Sequence, residues 1–281
     1  MVGFQYFDYN KQQNRIDSLL ASLISKGIKQ VKKDDDFVIF IFGAEGTGKS
    51  ELRNLIGAYC QSQTGIKFGV PNIWFNIEDY MTFALNQKPL TVISHDEARR
   101  ELNTKRSMSK SNVKFTDYFS ECRDNNQIHI VILPAFSDLE KYLALWRAKM
   151  IIEVGKYKNK ETGEYERGMF RVIKTKNKKK LAELHKMKYS RVPKSLILFK
   201  GHFDKCLGFD YDAYKKKKQE AKIDKYLGNM SKEVTAVIPS DILPVIANLK
   251  PSVLWEIDSS EYNRGRKWLY SLRKQINRQT G

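Results

Sequence analysis

The sequence predicts an α/β fold with a largely parallel sheet. Short apolar runs of strand length recur between residues 38 and 199. Segments with apolar residues at helical spacing separate most of them. A glycine-rich loop joins the first of these strands directly to a helix, the connection that parallel α/β units use.

That loop anchors the reading. Val38-Ile39-Phe40-Ile41-Phe42 is wholly apolar, as a strand buried on both faces requires. Gly43-Ala44-Glu45-Gly46-Thr47-Gly48-Lys49-Ser50 follows at once and matches the phosphate-binding pattern G-x-x-x-x-G-K-[ST]. Glu51 to Cys60 continues with helical spacing. Gly43, Gly46 and Gly48 let the backbone bring its N–H groups close to phosphate oxygens. The helix begins at Lys49, so its positive end faces the anion. Lys49 reaches the β- and γ-phosphates, and Ser50 offers a hydroxyl to Mg²⁺. The nucleotide-binding set is therefore Gly43, Ala44, Glu45, Gly46, Thr47, Gly48, Lys49, Ser50 and Glu51, with ATP and Mg²⁺ as the expected ligands. The expected core is that of a P-loop NTPase.

Taken in order, residues 10–31 are expected as a helix, with Ile16, Leu19, Leu20, Leu23, Ile24 and Ile28 at helical spacing. Residues 32–36 are a charged linker. After the loop helix, 73–77 is an expected strand, 78–86 a helix and 90–95 a strand ending on Asp96-Glu97. Residues 105–114 are polar and loop-like, and 115–125 read as a helix. Residues 128–133 form the next strand, 137–149 a helix and 150–154 a strand. A turn at Glu161-Thr162-Gly163 and alternation over 168–174 give a β-hairpin beyond the core. Residues 195–199 are a last apolar run, and 211–227 a basic helix with Lys215 to Lys218. The tail from 231 to 281 is expected to be a small basic helical unit. This divides the chain into an N-terminal helix and linker (1–36), an ATPase core with its hairpin (37–205) and a basic C-terminal region (206–281).

Composition narrows the partners. The 281 residues carry a formal net charge of +18. Residues 1–150 hold 20 basic and 17 acidic side chains, and residues 151–281 hold 30 and 15. A near-neutral front half and a basic back half suggest a catalytic core beside a polyanion-binding surface, with nucleic acid the first candidate and an anionic membrane surface the second. Lysine clusters at 174–180, 186–194 and 215–225 interleave with Tyr189, Phe199, Phe203, Tyr211 and Tyr214, which offers phosphate contacts and base stacking. No apolar run approaches the roughly 18–20 residues of a membrane helix. The three cysteines show neither zinc nor disulfide spacing. A cytoplasmic protein is expected.

Hydrolysis needs a second group of residues. A carboxylate at the end of a neighbouring strand holds the metal, and another orients the attacking water. Asp96-Glu97 follows an apolar strand 47 residues after Lys49, so Asp96 is the expected metal ligand and Glu97 the base. Two acids opening a helix is the plainer alternative. Glu78-Asp79, 29 residues after Lys49, is a rival pair.

With that loop, an extra strand and Asp96-Glu97-Ala98, the chain resembles the additional-strand, catalytic-glutamate P-loop ATPases. Within them it is most similar to the HerA–FtsK and zonula-occludens-toxin-like branch, the DNA-pumping and virion-assembly ATPases of phages, plasmids and archaeal viruses. The resemblance covers roughly residues 37–156. It implies ATP hydrolysis to ADP and phosphate, DNA stimulation and a homo-oligomeric ring or filament acting as a translocation or packaging motor. It also implies an arginine supplied in trans. Arg123 and Arg147 are the candidates because each lies near a strand terminus, with Arg99, Arg100 and Arg106 after the acidic pair. The branch commonly ends its fourth strand on a polar residue. Here that strand runs into Leu133-Pro134, leaving Ser137 and His129 as substitutes. The alternative function is an ATP-dependent, DNA-bound assembly switch with slow turnover.

Overall fold

The computed structural model describes residues 3–96, 110–135, 142–159, 162–174 and 192–223, with 176, 179, 180 and 183 besides; of 110–112 it describes the backbone alone. Glu97, Arg99, Arg100, Arg106, Ser137, Tyr189 and the tail from 224 onward lie outside the described residues. The chain divides into two compact units, Met1–Tyr214 and Lys215–Gly281. In the second unit 215–223 are described, and they are helical.

The first unit is an α/β structure built on a seven-stranded, mostly parallel sheet. A separate hairpin comes first, β1 (Phe4–Tyr9) with β2 (Gln12–Asp17), followed by α1 (Ser18–Val31). The glycine loop lies between β3 (Phe37–Phe42) and α2 (Lys49–Thr64). Then come β4 (Ile73–Trp74), α3 (Ile77–Leu85), β5 (Val92–His95), α4 (Lys110–Glu121) and β6 (Ile128–Leu133). A π-helical turn at Leu143–Arg147 leads to β7 (Met150–Lys158), β8 (Tyr165–Ile173) and β9 (Ile197–His202). The sheet order is β4-β5-β6-β3-β7-β8-β9. β4 through β7 run parallel in it, while β8 and β9 are antiparallel.

Every residue of β3 and β6 is buried, as expected of strands at the centre of a sheet covered on both faces. One face carries Ile39, Ile41, Ile130 and Ile132 against α1, α2 and the β1–β2 hairpin. The other carries Val38, Phe40, Phe42 and Val131 against α3, α4 and the π turn. Because the strands are parallel, the loops after β3 and β5 leave the same edge. That edge is where open α/β sheets bind ligands.

The expected helix over 10–31 is corrected in its first half. Asn10 and Lys11 both have positive φ, 47° and 64°, the signature of a two-residue hairpin turn. From Gln12 to Asp17 the buried positions alternate, Asn14 then Ile16, before α1 begins. Asp17 is its N-cap and accepts from the amides of Leu19 at 2.9 Å and Leu20 at 3.1 Å. The helical period of the leucines and isoleucines holds from Ser18 onward. Ile16 fits both periods, which hides the boundary. The expected strand over 73–77 also shortens to two residues, since Asn76 caps α3 through its side chain.

His129 is the second residue of β6, far from that strand's C-terminal end. Its Nδ1 lies 2.6 Å from the hydroxyl of Tyr80 inside the core. Burial, and secondarily the charge of Arg147, push its pKa down to about 3. It cannot stand in for a phosphate sensor. A histidine whose folded pKa lies below its unfolded value near 6.5 binds fewer protons in the native state. It therefore adds stability above pH 6.5, which is lost as pH falls towards 3, at about 1.4 kcal/mol per pH unit. Burial raises the carboxyl pKa values of Asp36 and Glu153, and those groups titrate with the opposite sign. The comparison to make is therefore with His129→Gln. Urea denaturation between pH 6.5 and pH 4 should show wild type losing stability more steeply than this variant.

Candidate functional site

The glycine loop crosses the C-terminal edge of the sheet with its crest, Ala44 to Gly46, exposed to solvent. Its two ends are fixed. Gly43 donates its N–H to the carbonyl of Pro134 at the end of β6, at 3.3 Å. A Cβ on Gly43 would lie 2.1 Å from the carbonyl oxygen of Val154 on β7, at a φ of +150°. Only glycine fits between those strands. Thr47 donates from Oγ1 to the carbonyl of Ala44 at 2.8 Å, which tightens the turn. Gly48 caps α2, so the helix begins at Lys49 as expected. The Lys49 ammonium donates to the carbonyls of Gly43 at 2.6 Å and Ala44 at 2.8 Å. The lysine thus lies folded over the loop whose oxygens it touches.

Ser50 and Asp96 meet. Ser50 Oγ donates to Asp96 Oδ2 at 3.2 Å, although 46 residues separate them and β6 lies between β3 and β5. Asp96 follows β5 directly and its amide donates to the carbonyl of Trp74 at 2.8 Å. The carboxylate is buried, and Tyr214 and Arg53 also meet its Oδ2. The Tyr214 hydroxyl donates to it, and the Arg53 guanidinium lies 3.5 Å away.

Sequence reasoning alone misses Arg53 and assigns Tyr211, Tyr214 and Phe203 to a different surface. Arg53 lies three residues beyond Ser50 on α2, a spacing that puts both on one face. It is fully buried. Its Nε donates to Asn54 Oδ1 at 2.8 Å, and its guanidinium lies 5.0 Å from the centre of the Tyr214 ring. Its Nη2 has no hydrogen-bond partner among the described residues. Tyr211 donates its hydroxyl to Glu51, and its own pKa is raised, first by burial and then by that carboxylate. Phe203 and Tyr214 are each 8% exposed. Buried here, they are not surfaces on which bases can stack.

The remaining residues singled out from the sequence lie apart from this site. Arg123 and Arg147 are at the opposite edge of the sheet. Arg147 is ion-paired with the buried Asp36 just before β3, and Arg123 Nε lies 3.8 Å from Asp35. The six residues of β3 put that edge roughly 20 Å from the glycine loop. Arg147 is therefore a structural cation and neither arginine serves its own loop. Glu78 and Asp79 occupy the first turn of α3, where the helix dipole favours acids, and Glu78 pairs with Lys114 at 3.3 Å on the surface. His95 is buried with its ring against Tyr80 and Phe115. Cys60, Cys122 and Cys206 are free and buried, and burial pushes each thiol up to about 12. Thiolate chemistry is thereby disfavoured. Among the described residues no three His, Cys, Asp or Glu side chains cluster as a metal site would require, and no helix is long and apolar enough to cross a membrane.

No protein-family model matches this chain, and no curated protein matches it either.

The loop's dependence on Gly43 can be tested without any ligand. Gly65, the C-cap of α2, also has positive φ, +71°, but a Cβ there meets nothing within 4 Å. Gly65→Ala should cost about 1 kcal/mol in urea denaturation, the conformational penalty alone. Gly43→Ala adds a collision with backbone and should cost about 3 kcal/mol or more.

Proposed function

We propose that this chain is an ATP-hydrolysing P-loop protein coupled to nucleic acid, working as an oligomeric DNA translocation or packaging motor of a virus or mobile element. The observation that carries the reading is the 3.2 Å contact between Ser50 of the glycine loop and Asp96 after β5. A hydroxyl on the first turn of the loop helix and a buried carboxylate on a neighbouring strand are the oxygen donors that Mg²⁺ prefers. The residues fit the ion. The additional-strand reading draws its support from β6, which comes after β5 in the chain yet sits between β5 and β3.

In this reading the residues take the following roles. Backbone N–H groups of 44–50 would face the phosphates at the positive end of α2. Lys49 exchanges the carbonyls of Gly43 and Ala44 for β- and γ-phosphate oxygens. Ser50 and Asp96 would hold Mg²⁺, which when bound would supply charge neutralisation for phosphoryl transfer. Arg53 and Tyr214 would keep Asp96 in place through the same oxygen that Ser50 meets. Glu97, next in the chain, takes the proton of the attacking water in this reading. The lysine-rich back half supplies phosphate contacts to DNA without reading its sequence. A second reading, a slow ATP-dependent assembly switch on DNA, is favoured by one observation. β6 ends on Leu133, which is buried and apolar where a γ-phosphate sensor would be polar.

Two experiments test this. ATP hydrolysis should rise with double-stranded DNA, fall as salt is raised from low to moderate, and disappear in Glu97→Gln. Measurable wild-type turnover indifferent to DNA would remove the motor, and negligible turnover with ATP-promoted assembly on DNA would leave the switch. Separately, Tyr214→Phe should weaken Mg²⁺-dependent nucleotide binding about tenfold, the usual effect of removing a group that orients a metal ligand. A fluorescent nucleotide titrated against Mg²⁺ reads this directly.

A further inference from the structure

A bulged strand stands beside the glycine loop. β7 and β8 pair antiparallel, with Glu153 opposite Arg171 and Gly155 opposite Met169. The register then shifts, and Tyr157 lies opposite Glu166. Two steps along β7 thus meet three along β8, and the extra residue falls at Arg167-Gly168. Gly168 has a φ of +100°. A bulge with glycine at positive φ bends its strand and re-aims a neighbouring side chain.

Phe203 fixes this bulge against the loop. Its N–H donates to the carbonyl of Gly168 at 2.8 Å. A Cβ on Gly168 would lie 2.7 Å from the Phe203 carbonyl oxygen. The Phe203 ring meanwhile rests on the loop itself, since a Cβ on Gly48 would lie 3.2 Å from its Cζ. One aromatic residue therefore seats both the bulge and the first residue before α2. The outcome is a placed cation. Arg167 Nη2 lies 4.0 Å from the Cβ position of Gly46, at the crest of the loop. Arg171, further along β8, is paired with Glu153 at 3.0 Å. Arg167 is exposed and forms no ion pair among the described residues.

We propose that Arg167 contacts the terminal phosphates of the bound nucleotide, supplied in cis by the β7–β8 hairpin. This rests on the nucleotide reading above. The chemistry favours it. A guanidinium is always charged, and its planar fork matches two phosphate oxygens at once. Gly46 has no side chain to keep the guanidinium away. The loop amides and Lys49 would meet the phosphates from β3 and α2, and Arg167, whose Nη2 stands beside the crest of the loop, would meet them from the β7–β8 side. A cis arginine also removes the need for Arg123 or Arg147 of a neighbouring chain.

The test uses the full chain and four proteins: wild type, Arg167→Ala, Arg167→Lys and Lys49→Ala. Calorimetric titration with ATP and with ADP, a thermal melt and a turnover assay are run on each. Arg167→Ala should melt as wild type does. It should bind ATP about tenfold or more weakly, the loss expected for one charge-assisted contact, while ADP binding changes far less. Turnover should fall about 10³-fold or more, as when an arginine that stabilises phosphoryl transfer is removed. Arg167→Lys should restore part of the ATP affinity and less of the turnover. Mixing Arg167→Ala with Lys49→Ala should leave turnover low, because both groups must belong to one chain. Recovery on mixing would overturn the cis assignment. Equal losses for ATP and ADP would overturn the terminal-phosphate assignment. ATP binding and turnover within twofold of wild type in Arg167→Ala, with Lys49→Ala inactive, would overturn the role altogether. Lys49→Ala binding ATP as tightly as wild type would sink the nucleotide reading itself.

Discussion

The buried carboxylate of Asp96 is the constraint on which the rest of the structure turns. A carboxylate removed from water must be paired and hydrogen-bonded, or it will take up a proton. Here Ser50, Tyr214 and Arg53 all converge on one oxygen. Each comes from a different commitment of the chain. Ser50 requires α2 to start at the right place, which the glycine loop ensures. Asp96 requires β5 to be in register with β4 and β6. Tyr214 requires the segment after β9 to return across the loop. The arrangement is cooperative because withdrawing any partner leaves the others facing an under-compensated charge.

That returning segment gives the site its connection to the rest of the chain. Phe203 packs on Gly48, Tyr211 holds Glu51, and Tyr214 holds Asp96. Tyr214 is the last residue of the first unit, and Lys215 to Lys218 follow it in sequence. The far edge of the sheet is fixed differently. Asp35 and Asp36 gather Arg123, Arg147 and Lys149 into a cluster of ion pairs around the start of β3. One end of β3 is thus locked by charge pairs, while the other opens into a loop of backbone amides.

Local patterning reveals the order and type of most elements. The apolar runs at 38–42 and 128–133 are the central strands, and the glycine loop falls between strand and helix as its spacing demands. Alternation over 168–174 marks the second strand of the β7–β8 hairpin, which lies inside the sheet because β9 pairs on its far side. The opening residues escape this reading because Ile16 belongs equally to a strand and to a helix face, and the deciding signal is the positive φ of Asn10 and Lys11. The aromatic residues near 203–214 suggest a base-stacking surface because aromatic and basic residues alternate there. Their neighbours in sequence are charged, but their neighbours in space are Gly48, Glu51 and Asp96.

What the sequence determines alone are features fixed by covalent spacing: the loop pattern from Gly43 to Ser50, the strands beside it, the acidic pair at 96–97 and the excess of charge in the back half. Tertiary structure alone decides which distant groups meet. That Arg53 and Tyr214 share Asp96, that Arg147 is taken up by Asp36, and that Arg167 on the bulged strand stands beside Gly46 all depend on strand order and register. No local propensity encodes them, because side chains far apart in the chain become neighbours only once the sheet has formed.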